Sequence, residues 1–294
     1  GKICIATKNN GLCVYDPEMD SFSNYIPETN NDLSIAGRWV KQVVRDGKDN
    51  IWLLAGSSRT NLISLQRFDP EKGAFHSYFE PFEPPGYNPS AAFLLFVDRT
   101  GYLWIVTGVG LKRFDPYQEI FTDILQREAH LTDWSLPYTF YEDQDGILWI
   151  SILSKGLLKY APSSDKFRYY PPMNFYGENM AGDLVRKIFE DSKGYLWART
   201  TGGTARFSFD ENGELQKIAQ FPFEGISFWE DSRHKLWIST WDGLKVFDIH
   251  KQQFLPLSML PNLESLNFIV KEDKEGWLWS VSRRKGLKRY NPST

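Results

Sequence analysis

The sequence carries almost no cysteine: Cys4 and Cys13 are the only two thiols in 294 residues. A disulfide framework is therefore excluded, and the single possible pairing depends on register, because both lie in strands expected to neighbour each other in one hairpin. Histidine is nearly as scarce, with only His76, His130, His234 and His250. No His-x-Glu-x-His, CxxC spacing or phosphate-cradling loop is present, so no metal or other cofactor is expected. No apolar run reaches the roughly 18 residues of a membrane-spanning helix, and the chain does not open on a charged segment followed by an apolar one. An excess of one charge is missing too, since 34 Lys plus Arg face 37 Asp plus Glu. Without a basic field, nucleic-acid binding is not expected.

Aromatic residues are what the chain has in abundance: 11 Trp, 14 Tyr and 21 Phe. That excess fits an all-β protein. Aligned on one pair, the sequence repeats: IWLL at Ile51, LWIV at Leu103, LWIS at Leu148, LWAR at Leu196, LWIS at Leu236 and LWSV at Leu278. An aspartate stands six residues before each Trp: Asp46 and Trp52, Asp98 and Trp104, Asp143 and Trp149, Asp191 and Trp197, Asp231 and Trp237, Asp273 and Trp279. A seventh copy opens the chain, where Gly1 to Thr7 matches Gly101 to Thr107 with Cys4 in the Trp place. The spacings of 40 to 52 residues are the period of a four-stranded propeller blade.

Each repeat reads as four short strands. The first ends at the Asp, as in Val185 to Asp191; the second carries the Trp; the third resembles Gly110 to Pro116; the fourth is an aromatic piece such as Phe167 to Tyr170. In the Asp-x-x-Gly turn the carboxylate accepts backbone N–H groups and the Gly takes a positive φ. Gly101, Gly146, Gly194 and Gly276 hold that place, with Asp49 and Lys235 at or near it in two repeats. Asp-Pro at 16–17, 69–70 and 115–116 ends the third strand because Pro cannot donate to the ladder. The expectation is a single seven-bladed β-propeller over 1–294, with blades centred on Cys4 and the six Trp and both terminal blades incomplete. The chain reads as a fragment of a longer polypeptide. The Trp rings are expected to pack between blades, and the six Asp and six Trp to be structural.

The pattern D-x-x-G-x-L-W-I-x-T, then G-L-x-R-F/Y-D-P, then x-F-x-x-Y, resembles the two-component regulator propeller repeat, and Asn31-Asp32-Leu33-Ser34 is similar to that family's lead-in. The pattern weakens at Cys4 and at Gly203 to Phe207, which lacks the Gly-Leu and Asp-Pro. The resemblance implies the periplasmic sensor region of an inner-membrane-anchored hybrid two-component protein. It also implies an oligosaccharide or related glycan ligand, a second propeller in the same chain, and a kinase outside it.

An enzyme is not expected. A streptogramin-lyase-like propeller would need His and carboxylate gathered on one loop; a sialidase Asp-box has a shorter Asp-to-Gly spacing than Asp143 to Gly146. The Glu-Asp pairs at 190–191 and 230–231 are explained by the turn. Binding residues belong on the variable connections, strand two to three and strand four to one. Trp39, Tyr87, Trp134 and Tyr176 lie in the long connections, and Arg59, Trp241, Arg283 and Arg284 in the two-to-three loops. Exposed aromatics stack on sugar rings, and Arg pairs with hydroxyl, uronate or sulfate groups. Trp241-Asp242 stands out, because other blades carry small or polar residues there; Leu153-Ser154-Lys155 is a further non-repeating stretch. The competing reading is that this face docks protein, a partner subunit or the second propeller, with a homodimer as one form.

Overall fold

Strand follows strand in the computed structural model, as the repeat demands. It describes residues 1–56, 63–78, 94–107, 110–126, 137–152, 156–162, 164, 166–170, 185–200, 202–256, 267–282 and 286–291. Packing divides the chain into two compact units, Gly1–Pro137 and Tyr138–Thr294.

The first unit holds three antiparallel blades. They are β1 (Ile3–Ala6), β2 (Leu12–Asp16) and β3 (Ser21–Tyr25); β4 (Trp39–Arg45), β5 (Ile51–Gly56), β6 (Ile63–Asp69) and β7 (Ala74–Tyr78); and β8 (Leu95–Val97), β9 (Leu103–Thr107), β10 (Gly110–Asp115) and β11 (Ile120–Gln126). The second unit holds four. They are β12 (Pro137–Glu142), β13 (Leu148–Ile152), β14 (Gly156–Ala161) and β15 (Lys166–Tyr170); β16 (Lys187–Glu190), β17 (Leu196–Thr200), β18 (Gly203–Phe209) and β19 (Leu215–Phe221); β20 (Ser227–Glu230), β21 (Lys235–Thr240), β22 (Gly243–Asp248) and β23 (Gln253–Phe254); and β24 (Asn267–Glu272), β25 (Leu278–Ser282) and β26 (Gly286–Tyr290). Seven antiparallel blades make this an all-β chain of the seven-bladed propeller class. Among the described residues the first and last blades have three strands and the other five have four.

The Asp-to-Trp spacing has a physical cause. In all six copies the Trp Nε1–H donates to Oδ2 of the Asp six residues earlier, at 2.7 to 2.9 Å. The other carboxylate oxygen accepts turn N–H groups, as Asp191 Oδ1 does from Lys193 and Tyr195. One side chain thus fixes both the turn and the ring. The residue three after the Asp must adopt a positive φ: Gly194 does so at 79°. Where Gly is absent, Asp49 (68°) and His234 (57°) take that conformation, so in the sixth blade the position belongs to His234 and not to Lys235.

The Trp rings fill blade-to-blade interfaces. Trp52 lies 5.8 Å from Phe114 of the next blade, and Trp197 lies 5.0 Å from Phe247 of the next. Both indoles are fully buried, each within an apolar cluster that spans two blades. Asp-Pro proves to be a hydrogen-bonded turn as well as a stop: Asp69 Oδ1 accepts from Glu71 and Lys72, and Asp115 Oδ1 from Tyr117 and Gln118. Asp248 does the same without a Pro. Register settles the cysteines: Cys4 pairs with Val14 and Cys13 with Ile5. Successive strand residues face opposite sides, so the two thiols point apart and both are free.

Candidate functional site

Trp241 is more than half exposed, at 57%, on the β21–β22 connection of the second unit. The loop that carries it is rigid for a local reason. Thr240 Oγ1 donates within the loop, to Gly243 O or to the Asp242 carboxylate, and Lys245 Nζ sits 3.4 Å from Asp242 Oδ2. Asp242 is held below the ordinary carboxylate range by the Thr240 hydrogen bond foremost, against burial, and then by its own backbone N–H and by Lys245.

A second connection, between β19 and β20, supplies the floor. Thr204 Oγ1 lies 2.7 Å from Phe223 O and accepts the Gly225 N–H at 2.8 Å; Ile226 N donates to Ser239 O at 2.7 Å. Gly225 is required there, since a Cβ would meet the Phe228 ring at 2.6 Å. Between these pinned residues stands Glu224, whose Oε2 accepts from Arg199 of β17 at 2.7 Å. The Trp241 side chain neighbours the same carboxylate and helps to lower it. The Arg199 hydrogen bond foremost, against burial, and then the Arg199 charge, Trp241 and Arg186 hold Glu224 below its ordinary range.

The arrangement has a chemical consequence. The exposed Trp241 indole offers a π-face for stacking beside the Glu224 carboxylate. Beside it, Arg199 uses one terminal nitrogen on Glu224, while its buried Nε has no hydrogen-bond partner among the described residues. A stacking surface and a cation thus stand side by side.

Of the other sequence candidates, Trp39 is the first residue of β4 and not part of a loop; it is half-buried, with Lys41 Nζ 4.4 Å above its ring. Arg59, Tyr87, Trp134, Tyr176, Arg283, Arg284 and the stretch 153–155 lie outside the described residues, as does His130. Arg199 and Glu224 were missed. The signal for Arg199 was present, because LWAR is the one strand-two segment with a cation at its fourth position. Glu224 has no such mark, since its role depends on a contact 25 residues away.

His234 is engaged. Its Nδ1 lies 2.8 Å from Glu230 Oε1 and 3.1 Å from Ser192 Oγ, and its ring meets His250 edge-on at 4.7 Å. A nucleophile–base relay needs hydroxyl and carboxylate on opposite ring nitrogens. Here both meet the same nitrogen, so no proton passes from serine to glutamate through this ring. Glu230 Oε2 takes the Ser192 N–H at 2.7 Å, which ties one blade's turn to the next. Glu190 to Gln144 and Glu272 to Ser232 repeat the tie. The Glu of the pairs at 190–191, 230–231 and 272–273 is therefore an inter-blade strut. His76 is exposed on β7. Among the described residues no group of three or more His, Cys, Asp and Glu is placed to hold a metal ion.

No protein-family model matches the sequence, and no curated protein matches it. Solved structures do. An extracellular domain described as that of a hybrid two component system, BT4673 from B. thetaiotaomicron, is 14% identical, with 100% of this chain and 45% of that chain covered and a TM-score of 0.46. Virginiamycin B lyase from Staphylococcus aureus is 14% identical over 98% of this chain and 90% of that one, with a TM-score of 0.57. PorZ, a surface component of the type-IX secretion system of Porphyromonas gingivalis, is 14% identical over 99% and 45%, also at 0.57. The chain spans about half the length of the extracellular domains it matches, 45% and 55% of the first two. What it shares with the lyase and with PorZ is the propeller fold.

Proposed function

We propose that this chain is the ligand-binding, signal-input region of an extracytoplasmic sensor in a hybrid two-component system, and that it takes up a carbohydrate breakdown product. The observation that carries the reading is Trp241: an exposed indole beside the Glu224 carboxylate, which the partly unpaired Arg199 also meets. A sugar ring stacks its apolar face on such an indole, and the guanidinium reaches its hydroxyl or carboxylate oxygens. The repeat pattern resembling two-component regulator propellers supports the same reading, as does the likeness to extracellular domains of that description. The kinase would lie elsewhere in a longer protein, anchored in the inner membrane. Binding would then bias one arrangement of domains or subunits over another.

Calorimetric titration of the chain with a panel of neutral and acidic oligosaccharides tests this, with Trp241→Ala and Arg199→Met as controls. Binding by one member, lost in both variants, is the expected result. If no sugar binds while Trp241→Ala abolishes self-association of the chain, the face is a protein interface. Turnover of a panel member that disappears on changing one His or carboxylate would make the chain an enzyme.

A further inference from the structure

Five blades pair the strand-two Trp with a strand-three cation directly across the ladder: Trp52 with Arg67, Trp104 with Arg113, Trp149 with Lys159, Trp197 with Arg206 and Trp279 with Arg289. In three of them an aromatic ring four residues after the turn Asp covers the guanidinium. Arg113 lies 4.8 Å from the Tyr102 centroid, Arg206 3.9 Å from Tyr195 and Arg289 4.6 Å from Trp277. Two of these cations also reach the turn carboxylate itself, Arg206 at Asp191 and Arg289 at Asp273.

The second blade departs on both counts. Asn50 stands where the others carry an aromatic ring, and its Nδ2 donates to Asp46 Oδ2 at 2.8 Å, the oxygen that Arg206 and Arg289 meet in their own blades. Trp52 Nε1 donates to the same oxygen, and the backbone N–H groups of Lys48 and Asn50 donate to Oδ1. With four donors on it, Asp46 is taken up without Arg67. Half-buried Arg67 keeps only the Trp52 face, 5.9 Å from its centroid, and its side chain makes no hydrogen bond or ion pair among the described residues. Lys48 is similar: its Nζ lies 4.2 Å from the Tyr117 centroid, and it has no acid partner among the described residues.

Both cations line one crevice of about 350 Å³ between the second and third blades, where Arg99, Thr100 and Tyr117 form the wall opposite. Among the described residues that line it, Asp46 is the one acid, against three cations. We propose that this crevice is a binding site for a phosphate group, free or carried as a monoester on a small molecule. A phosphate monoester holds close to two negative charges at neutral pH, which matches the excess of two cations in the lining. An unpaired guanidinium offers two parallel N–H donors to such a group, and a lysine adds a point charge. The volume lies at the small end of the range for small-molecule sites, so the crevice has room for more than a bare ion. The site belongs to the first unit and is independent of the Trp241 reading.

Inorganic phosphate and glycerol 3-phosphate are the probes, titrated calorimetrically into the chain at an ionic strength held constant with chloride, which screens diffuse attraction equally throughout. One equivalent should bind. Arg67→Met should weaken binding about tenfold or more, and Lys48→Gln several-fold, about what losing a charged hydrogen bond or a nearby charge removes. Asn50→Tyr restores the ring that Tyr102 and Tyr195 supply in their blades, so it should fold and should also weaken binding about tenfold. Lys193→Gln, an exposed lysine of the second unit, should leave the Kd unchanged. Binding of both probes assigns the ester, and binding of inorganic phosphate alone assigns the free ion. No binding of either probe, a Kd unchanged in Arg67→Met or in Asn50→Tyr, or equal weakening by Lys193→Gln and Lys48→Gln would overturn the proposal. Should Arg67→Met not fold, Lys48→Gln and Asn50→Tyr decide.

Discussion

Trp197 donates its indole N–H to Asp191 Oδ2 at 2.9 Å, and both residues are fully buried. Arg206 approaches the same oxygen at 3.3 Å, with its guanidinium 5.0 Å from the Trp197 centroid. One carboxylate therefore supports a turn, a ring and a cation.

Removing that carboxylate should cost more than shrinking the ring. Asp191→Ala strands a buried cation, an indole N–H and two turn amides, and is expected to lose about 3–5 kcal/mol. Trp197→Phe keeps most of the apolar contact and should lose less. Because the two side chains share one hydrogen bond, the double variant should be less damaged than the sum of the singles. Urea unfolding of the four proteins checks this, and strict additivity would show that the bond contributes nothing.

The struts give a pH signature. Burial foremost raises the Glu190 carboxyl above its ordinary range, the Gln144 N–H lowers it in part, and the charges of Asp143, Asp145 and Asp191 raise it further. A raised folded pKa means that the stabilising contribution is full below the unfolded value, near 4.3 for Glu, and is lost as pH climbs through the folded value. Wild type should therefore lose stability relative to Glu190→Gln as pH rises above about 4, because the amide keeps an acceptor for Gln144 without the charge. Asp46 runs the other way. Burial opposes it, but hydrogen bonds from Trp52, Asn50 and Lys48 outweigh burial and lower its pKa. Its contribution is present above the unfolded value, near 3.9, and fades as pH falls through the folded one, so the penalty of Asp46→Asn should shrink in acid. Urea midpoints across pH measure both slopes, and parallel slopes would refute the assignment.

Local turn chemistry is why so much of the fold was legible. The Asp, the positive-φ residue and the Trp lie within seven residues, so their spacing survives in the sequence; strand three at Gly110–Asp115 and strand four at Lys166–Tyr170 were readable from the same punctuation. Contacts between blades were not legible. The Glu190 strut joins residues 46 apart, and Glu224 meets Arg199 across 25. Trp39 was read as loop because β4 contains a bulge: the ladder steps from Val40 to Gln42, and the strand runs farther back than the repeat predicts.

That bulge places Gln42 between blades. Its amide mimics a backbone pair, donating to Leu95 O at 2.7 Å and accepting from Leu95 N at 2.9 Å. Gln42→Leu leaves both groups of β8 without a partner and should cost about 1–3 kcal/mol. Gln42→Glu keeps the acceptor, loses the donor and adds a charge, so its penalty should be larger at neutral pH and shrink in acid. Equal loss at all pH values would mean that packing, not the hydrogen bonds, sets the cost.

Trp241 should be quenched by acrylamide more readily than the buried indoles, and Trp241→Phe should remove that accessible component. Glu224 neighbours the ring, so Glu224→Ala should make Trp241 still more accessible, and Arg199→Met should act in the same direction by freeing Glu224. Because Arg199 foremost holds Glu224 below its ordinary range, against burial, quenching of the wild type should stay flat from pH 7 down to about 4, where an ordinary glutamate would already be half protonated. A rise in quenching above that pH would show that Arg199 does not hold the carboxylate and that the stacking surface is not preorganised.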